Sequence, residues 1–162
     1  MPAFDLGRQS DVSYSSAPFG LAAGRWRWYE RLVLTVAGGC LLALLATAAW
    51  LSPSPQGMGT HQQLGLPPCT FVAWLGIRCP SCGMTTSWSH MLRGNVLGAM
   101  QANAGGALLA LAAAACGPWL LGSGLLGRWL GGPPREWLTV ALGLTIVIVT
   151  LVQWAVRVSM GW

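Results

Sequence analysis

The sequence predicts an all-α integral membrane protein, with three transmembrane helices and a short interfacial or re-entrant helix that follows a cysteine knuckle. Three observations carry that reading. The chain of 162 residues is 54% hydrophobic and 8% charged, where an ordinary soluble domain is roughly a quarter charged. Three uncharged runs each reach the length of a bilayer crossing, and the longest loop between them holds three cysteines in a tight pattern. Mean hydropathy is +0.54. Nine Arg and no Lys stand against four acids, for a net charge of +5. This composition excludes an ordinary soluble enzyme, and the length leaves no room for a nucleotide-binding module beside three spans.

Residues 1–31 form the first region, a polar tail. Ser10, Ser13, Ser15, Ser16, Pro18 and several glycines lack apolar periodicity. The tail ends in Arg25-Trp26-Arg27-Trp28-Tyr29-Glu30-Arg31, a composition that also suits nucleic acid. Directly before an apolar run, Arg25, Trp26, Arg27, Trp28 and Arg31 instead read as anchors in the headgroup region, with the lipid bilayer as partner and no nucleic acid.

The membrane domain follows over residues 32–162. Its first span, 32–51, is 20 uncharged residues, long enough at ~1.5 Å per residue to cross a ~30 Å hydrocarbon core. Ala46 and Ala48 make an A-x-A sequence, but the run exceeds the ~7–15 apolar residues of a signal peptide. The second span, 104–126, contains Gly117-Pro118, expected to kink or split it. Its Gly106, Ala110 and Ala114 suggest a small-residue stripe for close helix contact. The third span, 137–156, is rich in Val, Ile and Leu and is interrupted by Gln153. Trp26, Trp28, Trp50, Trp129, Trp137 and Trp154 fall near span ends, where amphipathic rings prefer the interface. Arg25, Arg27, Arg31, Arg128 and Arg135 flank one side against Arg78, Arg93 and Arg157 on the other, which puts the N-terminus in the cytoplasm and the long loop outside. Cys40 and Cys116 lie within spans and read as small packing residues.

The loop over residues 52–103 is far longer than a turn needs, and long ordered loops are usually functional. After a Pro-, Gly- and Gln-rich opening it carries Cys69 and then Cys79-Pro80-Ser81-Cys82-Gly83. Two sulfurs two residues apart can face one ion, Pro80 stiffens the turn, and Gly83 can adopt a left-handed backbone that points amides at sulfur. Zinc, or alternatively copper, suits three such donors. His61 and His90 are candidates for a fourth ligand, although eight residues of continuous helix would carry His90 ~12 Å from Cys82. The same spacing suits a redox dithiol, with Cys79 attacking, Cys82 or Cys69 resolving, and a helix starting near Cys82 lowering its pKa. It also suits a structural disulfide from Cys69 to the knuckle. Spacing alone leaves all three open. No second knuckle and no βαβ pattern is present, and no Asp or Glu occurs between Glu30 and Glu136, so no catalytic residue is assigned.

From Met84 the chain reads as a short helix stopped at Gly94, with Asn95 capping the next. Val96, Leu97 and Met100, with Trp88, Met91 and Leu92, are its expected apolar contacts, in an element lying on or dipping into the membrane beside the spans.

The pattern Cys69, nine residues, Cys79-Pro80-Ser81-Cys82-Gly83-Met84-Thr85-Thr86, then Arg93-Gly94-Asn95 and Ala99 to Asn103 resembles the bacterial membrane family known as domain of unknown function 2752. The resemblance covers about residues 66–115. It implies a small bacterial inner-membrane protein and marks Pro80, Gly83, Thr85, Thr86, Arg93 and Gly94 as supports of the motif. Two positions depart from that family: many members carry Thr-Arg where Thr85-Thr86 stands, and Asn103-Ala104 replaces a common Asn-Pro. A structural subunit, joined to other membrane proteins or to copies of itself, is a further reading of a chain this small without catalytic carboxylates.

Overall fold

A computed structural model describes residues 26–161. The polar tail expected over 1–24, the anchor Arg25 and the terminal Trp162 lie outside the described residues. Those described are helical and contain no strand: α1 (Trp28–Trp50), a 3-10 turn (Thr60–Leu64), α2 (Thr70–Leu75), α3 (Met84–Leu92), α4 (Val96–Leu126) and α5 (Glu136–Ser159). Helices α1, α4 and α5 are each long and apolar enough to cross a membrane. Helix α4 is central, touching α1, α3 and α5, while α3 wedges against α1 as well.

Helix α1 begins four residues before the uncharged run. Glu30, at its third position, accepts the Arg27 backbone N–H at 2.9 Å and so satisfies one donor freed at the helix start. Trp28 and Arg31 therefore belong to the first turn of the span rather than to a separate surface segment. Arg31 reaches the far end of α4, where Nε and Nη2 donate to the carbonyls of Gly124 and Leu125 at 3.2 and 2.7 Å. A cation on the last carbonyls of a helix is favoured by the dipole as well as by the hydrogen bonds. Trp26, Trp119 and Trp129 cluster at this end, with successive ring centroids 5.0 Å apart.

The α1–α4 interface is built from small residues. Gly106 and Ala110 are buried as expected, Gly106 against Met84 and Ser87 of α3, but Ala114 is exposed, and the buried line toward α1 continues through Ala113, Gly117 and Gly124. A strict spacing of four overruns the 3.6-residue turn, so the inward face is kept only by mixing steps of three and four. Contact is close: a Cβ added to Gly38 would sit 2.8 Å from the Gly117 carbonyl oxygen and 2.5 Å from the Leu121 nitrogen.

Pro118 stays inside α4 without splitting it; the departure from helical dihedrals is at Asn103 (φ −167°, ψ 109°). That extended residue divides α4 into a short first part and a stretch of 23 residues, 104–126, equal in length to α1. A break of this kind orphans backbone groups, and side chains satisfy them. The pair that helical bonding would join, Ala104 N–H and Met100 C=O, is bridged by one amide: Gln153 Oε1 accepts the first at 2.7 Å and Nε2 donates to the second at 2.9 Å. Arg157, one turn further along α5, donates from Nη2 to the carbonyls of Gln101 and Ala102. Ser87 Oγ donates to the Asn103 carbonyl at 2.8 Å, and Asn103 Oδ1 accepts from Gly106 N at 2.8 Å to cap the second part.

Helix α3 packs one face into the bundle. Thr86, Ser87, Trp88 and Ser89 are buried against α1 and α4. Of the apolar contacts expected, Trp88 and Met91 pack inward, whereas Leu92, Val96, Leu97 and Met100 are exposed. The reason lies in the neighbours. Ser89 Oγ donates to the Leu51 carbonyl that ends α1, Ser87 serves the α4 break, and Thr86 shares a hydrogen bond with Thr60 at 2.8 Å. The polar face of α3 fills the unmet needs of helix ends.

Candidate functional site

The three loop cysteines converge. The sulfurs of Cys69, Cys79 and Cys82 all lie within 4.8 Å of one another, although nine residues separate the first two in the chain. Cys69 sits at the start of α2, and the knuckle forms the turn that leads into α3. Within the turn, Cys82 N–H donates to the Cys79 carbonyl at 3.0 Å and Met84 N–H to the Ser81 carbonyl at 3.1 Å.

Two residues hold this turn in place. Gly83 has φ +87°, in the left-handed region, and any Cβ there would fall 2.5 Å from the Ala102 carbonyl oxygen and 2.6 Å from that of Gly57. Only glycine meets both the conformation and the approach. Asn103, buried at the α4 break, donates from Nδ2 to the carbonyls of Pro80 and Cys82 at 3.0 and 3.3 Å. The break that interrupts the span thus fixes the knuckle. Sequence reasoning does not mark Asn103 as a site residue; its one visible signal is a carboxamide at the threshold of an apolar run. Where the resembling family commonly has proline next, Ala104 keeps its N–H, and that N–H is the one Gln153 accepts.

The sulfurs face a cavity of about 470 Å³ whose wall includes His61, Met58, Met84 and Thr85. His61 is tethered by an Nε2 contact of 3.3 Å to the Pro67 carbonyl oxygen. His90 is not part of this wall; it lines a different cavity and contacts Asn95. Arg93 and Gly94 act at the end of α3: Arg93 Nη1 donates to the Ser89 carbonyl and hydroxyl at 3.1 and 2.6 Å, and Gly94 turns the chain with φ +75°.

All five cysteines are free thiols. Cys79 and Cys82 Sγ are 3.2 Å apart, well beyond the ~2.05 Å of a disulfide. The thiols are electrostatically unequal. Burial pushes Cys69 up, but the Val72 N–H, the thiols of Cys82 and Cys79 and the Phe71 N–H outweigh it and bring the group down to about 7. Cys82 is pushed up to about 12 by burial first, then by its hydrogen bonds with Cys79 and Cys69. A helix does start next to Cys82, yet the low-pKa sulfur is Cys69, because burial of the Cys82 thiol and its hydrogen bonds with the other two thiols outweigh the one backbone N–H, from Cys79, that reaches it.

Chemically, this is a cluster of soft donors without a carboxylate, able to close on a thiophilic ion. Four-coordinate zinc with Zn–S near 2.3 Å places sulfurs about 3.8 Å apart, so the widest pair needs to draw in by about 1 Å. No curated protein and no solved structure matches the chain. Residues 69–117, from the first clustered cysteine through the α4 break to the glycine packed against α1, match the family described as protein of unknown function (DUF2752).

Proposed function

We propose that this chain is a small multi-pass protein of the bacterial inner membrane whose loop binds a thiophilic metal ion through Cys69, Cys79 and Cys82. The observation that carries the reading is the convergence of three sulfurs within 4.8 Å around one cavity. For zinc, His61 is the candidate fourth donor, since it shares the cavity wall. Met58 and Met84 in the same wall favour copper(I) as the second reading, because thioethers suit that ion. Elemental analysis of the purified wild type and a Cys79→Ser/Cys82→Ser variant is the test: the variant should lose the metal, and equal content in both ends the proposal. Ligation also costs the Cys82 proton, so affinity should rise with pH between about 7 and 12 and steepen below about 7, where Cys69 gives up a proton too. An affinity flat across pH 7–9 excludes Cys82 as a thiolate ligand.

Thiol–disulfide exchange is the competing chemistry, favoured by the 3.2 Å approach of Cys79 and Cys82 and by the lowered Cys69. Maleimide trapping in cells should then catch a change of redox state in the cysteine set. Membership of a larger complex is supported by α5, none of whose residues is buried; recovery of stoichiometric partners after gentle solubilisation tests it. The arginine bias puts the N-terminus in the cytoplasm and the cysteines outside. A reporter that fluoresces only in the cytoplasm, fused after residue 162, should stay dark.

A further inference from the structure

A second cavity, of about 910 Å³, opens at the cysteine end of the bundle between the loop at 54–57, the end of α3, the first part of α4 and the last turns of α5. Arg78, His90 and Arg157 all line it, and no Asp or Glu does. The described residues offer little to balance them. Among the described residues the acids are Glu30 and Glu136, which stand in the first turns of α1 and α5, at the other end of the bundle. Two guanidinium groups facing one cavity without a carboxylate repel each other and hold a positive potential there.

Both have donors to spare. The Arg78 side chain makes no hydrogen bond among the described residues, its backbone carbonyl being the acceptor for Trp154. Among the described residues Arg157 spends only Nη2, on Gln101 and Ala102, which leaves Nη1 and Nε. His90 adds a ring N–H donor. Asn95 Oδ1 accepts from Gly98 N–H, so its Nδ2 is the donor toward His90 Nδ1 at 3.3 Å, and the imidazole hydrogen sits on Nε2.

We propose that this cavity binds a phosphate-bearing anion, with Arg78 and Arg157 as its charge partners and His90 Nε2 as a third donor. Planar guanidinium forks match phosphate oxygens in pairs, and basic pockets beside membrane helices suit anionic headgroups. The rim adds apolar surface: Val156 and Met160 are 49% and 68% exposed. That arrangement accommodates an acyl chain beside a headgroup, and free phosphate is the other source of the same chemistry. This site does not draw on the cysteine reading, although Arg78 directly precedes Cys79 in the chain.

The test uses the full chain, cysteines unchanged, in a neutral detergent. Calorimetric titrations are run with dioctanoyl phosphatidylglycerol, dioctanoyl phosphatidylcholine and inorganic phosphate. Saturable binding of phosphatidylglycerol at least tenfold tighter than phosphatidylcholine, weakened about tenfold or more by Arg78→Gln, supports a lipid headgroup. Saturable binding of inorganic phosphate with the same sensitivity supports the site with a soluble ligand. Arg157→Gln should weaken binding similarly; since it also loosens the α4 break, Arg78→Gln decides if that variant fails to fold. No saturable binding of any probe, or binding unchanged in Arg78→Gln, overturns the proposal.

Discussion

Helices α1 and α5 flank the same central helix in opposite ways. Against α1, α4 turns a line of Gly and Ala so close that backbone meets backbone at Gly38 and Gly117, and Leu45 and Ala48 are buried with Ala110 and Ala113 in the core. Against α5, no residue of the flanking helix is buried; the approach is close at Gly105, which faces Thr150 and the Ile146 carbonyl, and the hydrogen-bonded tie is a set of side chains at one end: Gln153, Trp154 and Arg157. Both helices are apolar, so hydrophobicity cannot account for the difference, nor would it drive association in lipid. Close packing along the helix sets one contact, and a single close approach at Gly105 together with the completion of a broken helix sets the other.

The largest expected effect is at the tight contact. Gly38→Val should destabilise by about 2–3 kcal/mol or more, because the helices must part, whereas Gly39→Val should change little, since nothing lies within 4 Å of a Cβ there. Denaturation in mixed detergent measures both, and equal effects would break the contrast. Next comes Gln153→Leu, which leaves Ala104 N–H and Met100 C=O unmet together; a loss of about 1–2 kcal/mol is expected, with faster amide exchange confined to residues 100–106. Gly105→Val follows, because a Cβ there would collide with the Thr150 hydroxyl, but α5 is held at its end and can swing aside. A loss of about 1 kcal/mol is expected, read as increased cross-linking freedom between α4 and α5. Smallest is Gly143→Val on α5, where no atom lies within 4 Å. No measurable change in stability of the isolated chain is expected, and a loss of partner recovery from membranes would show instead that this face is occupied.

The spans are legible in the sequence because an uncharged run of about 20 residues fits little but a bilayer crossing. The knuckle is legible because Cys79-Pro80-Ser81-Cys82-Gly83 encodes its own turn. The approach of Cys69 is readable as a candidate but not as geometry, since nine intervening residues can close in many ways. Burial of α3 is hidden for a different reason. Thr86, Ser87 and Ser89 look like a face for water until the carbonyls at Leu51 and Asn103 are in place, and those acceptors exist only once α1 has ended and α4 has broken. Gln153 is equally opaque: a lone polar residue in a span does not announce that it bridges a missing backbone bond 49 residues away.

The hydroxyl-bearing face of α3 also dictates an order of assembly. A helix of nine residues spans about 13 Å and is too short and too polar to enter a bilayer alone. Helices α1, α4 and α5 can each insert independently, as their length and apolarity allow. Only when the first two have met do the orphaned carbonyls that recruit α3 stand side by side. On that order α3 would dock last and carry Cys79 and Cys82 with it, and the thiol cluster would form only after the spans are seated. A chain stalled before that step would expose its cysteines to modification while already resident in the membrane.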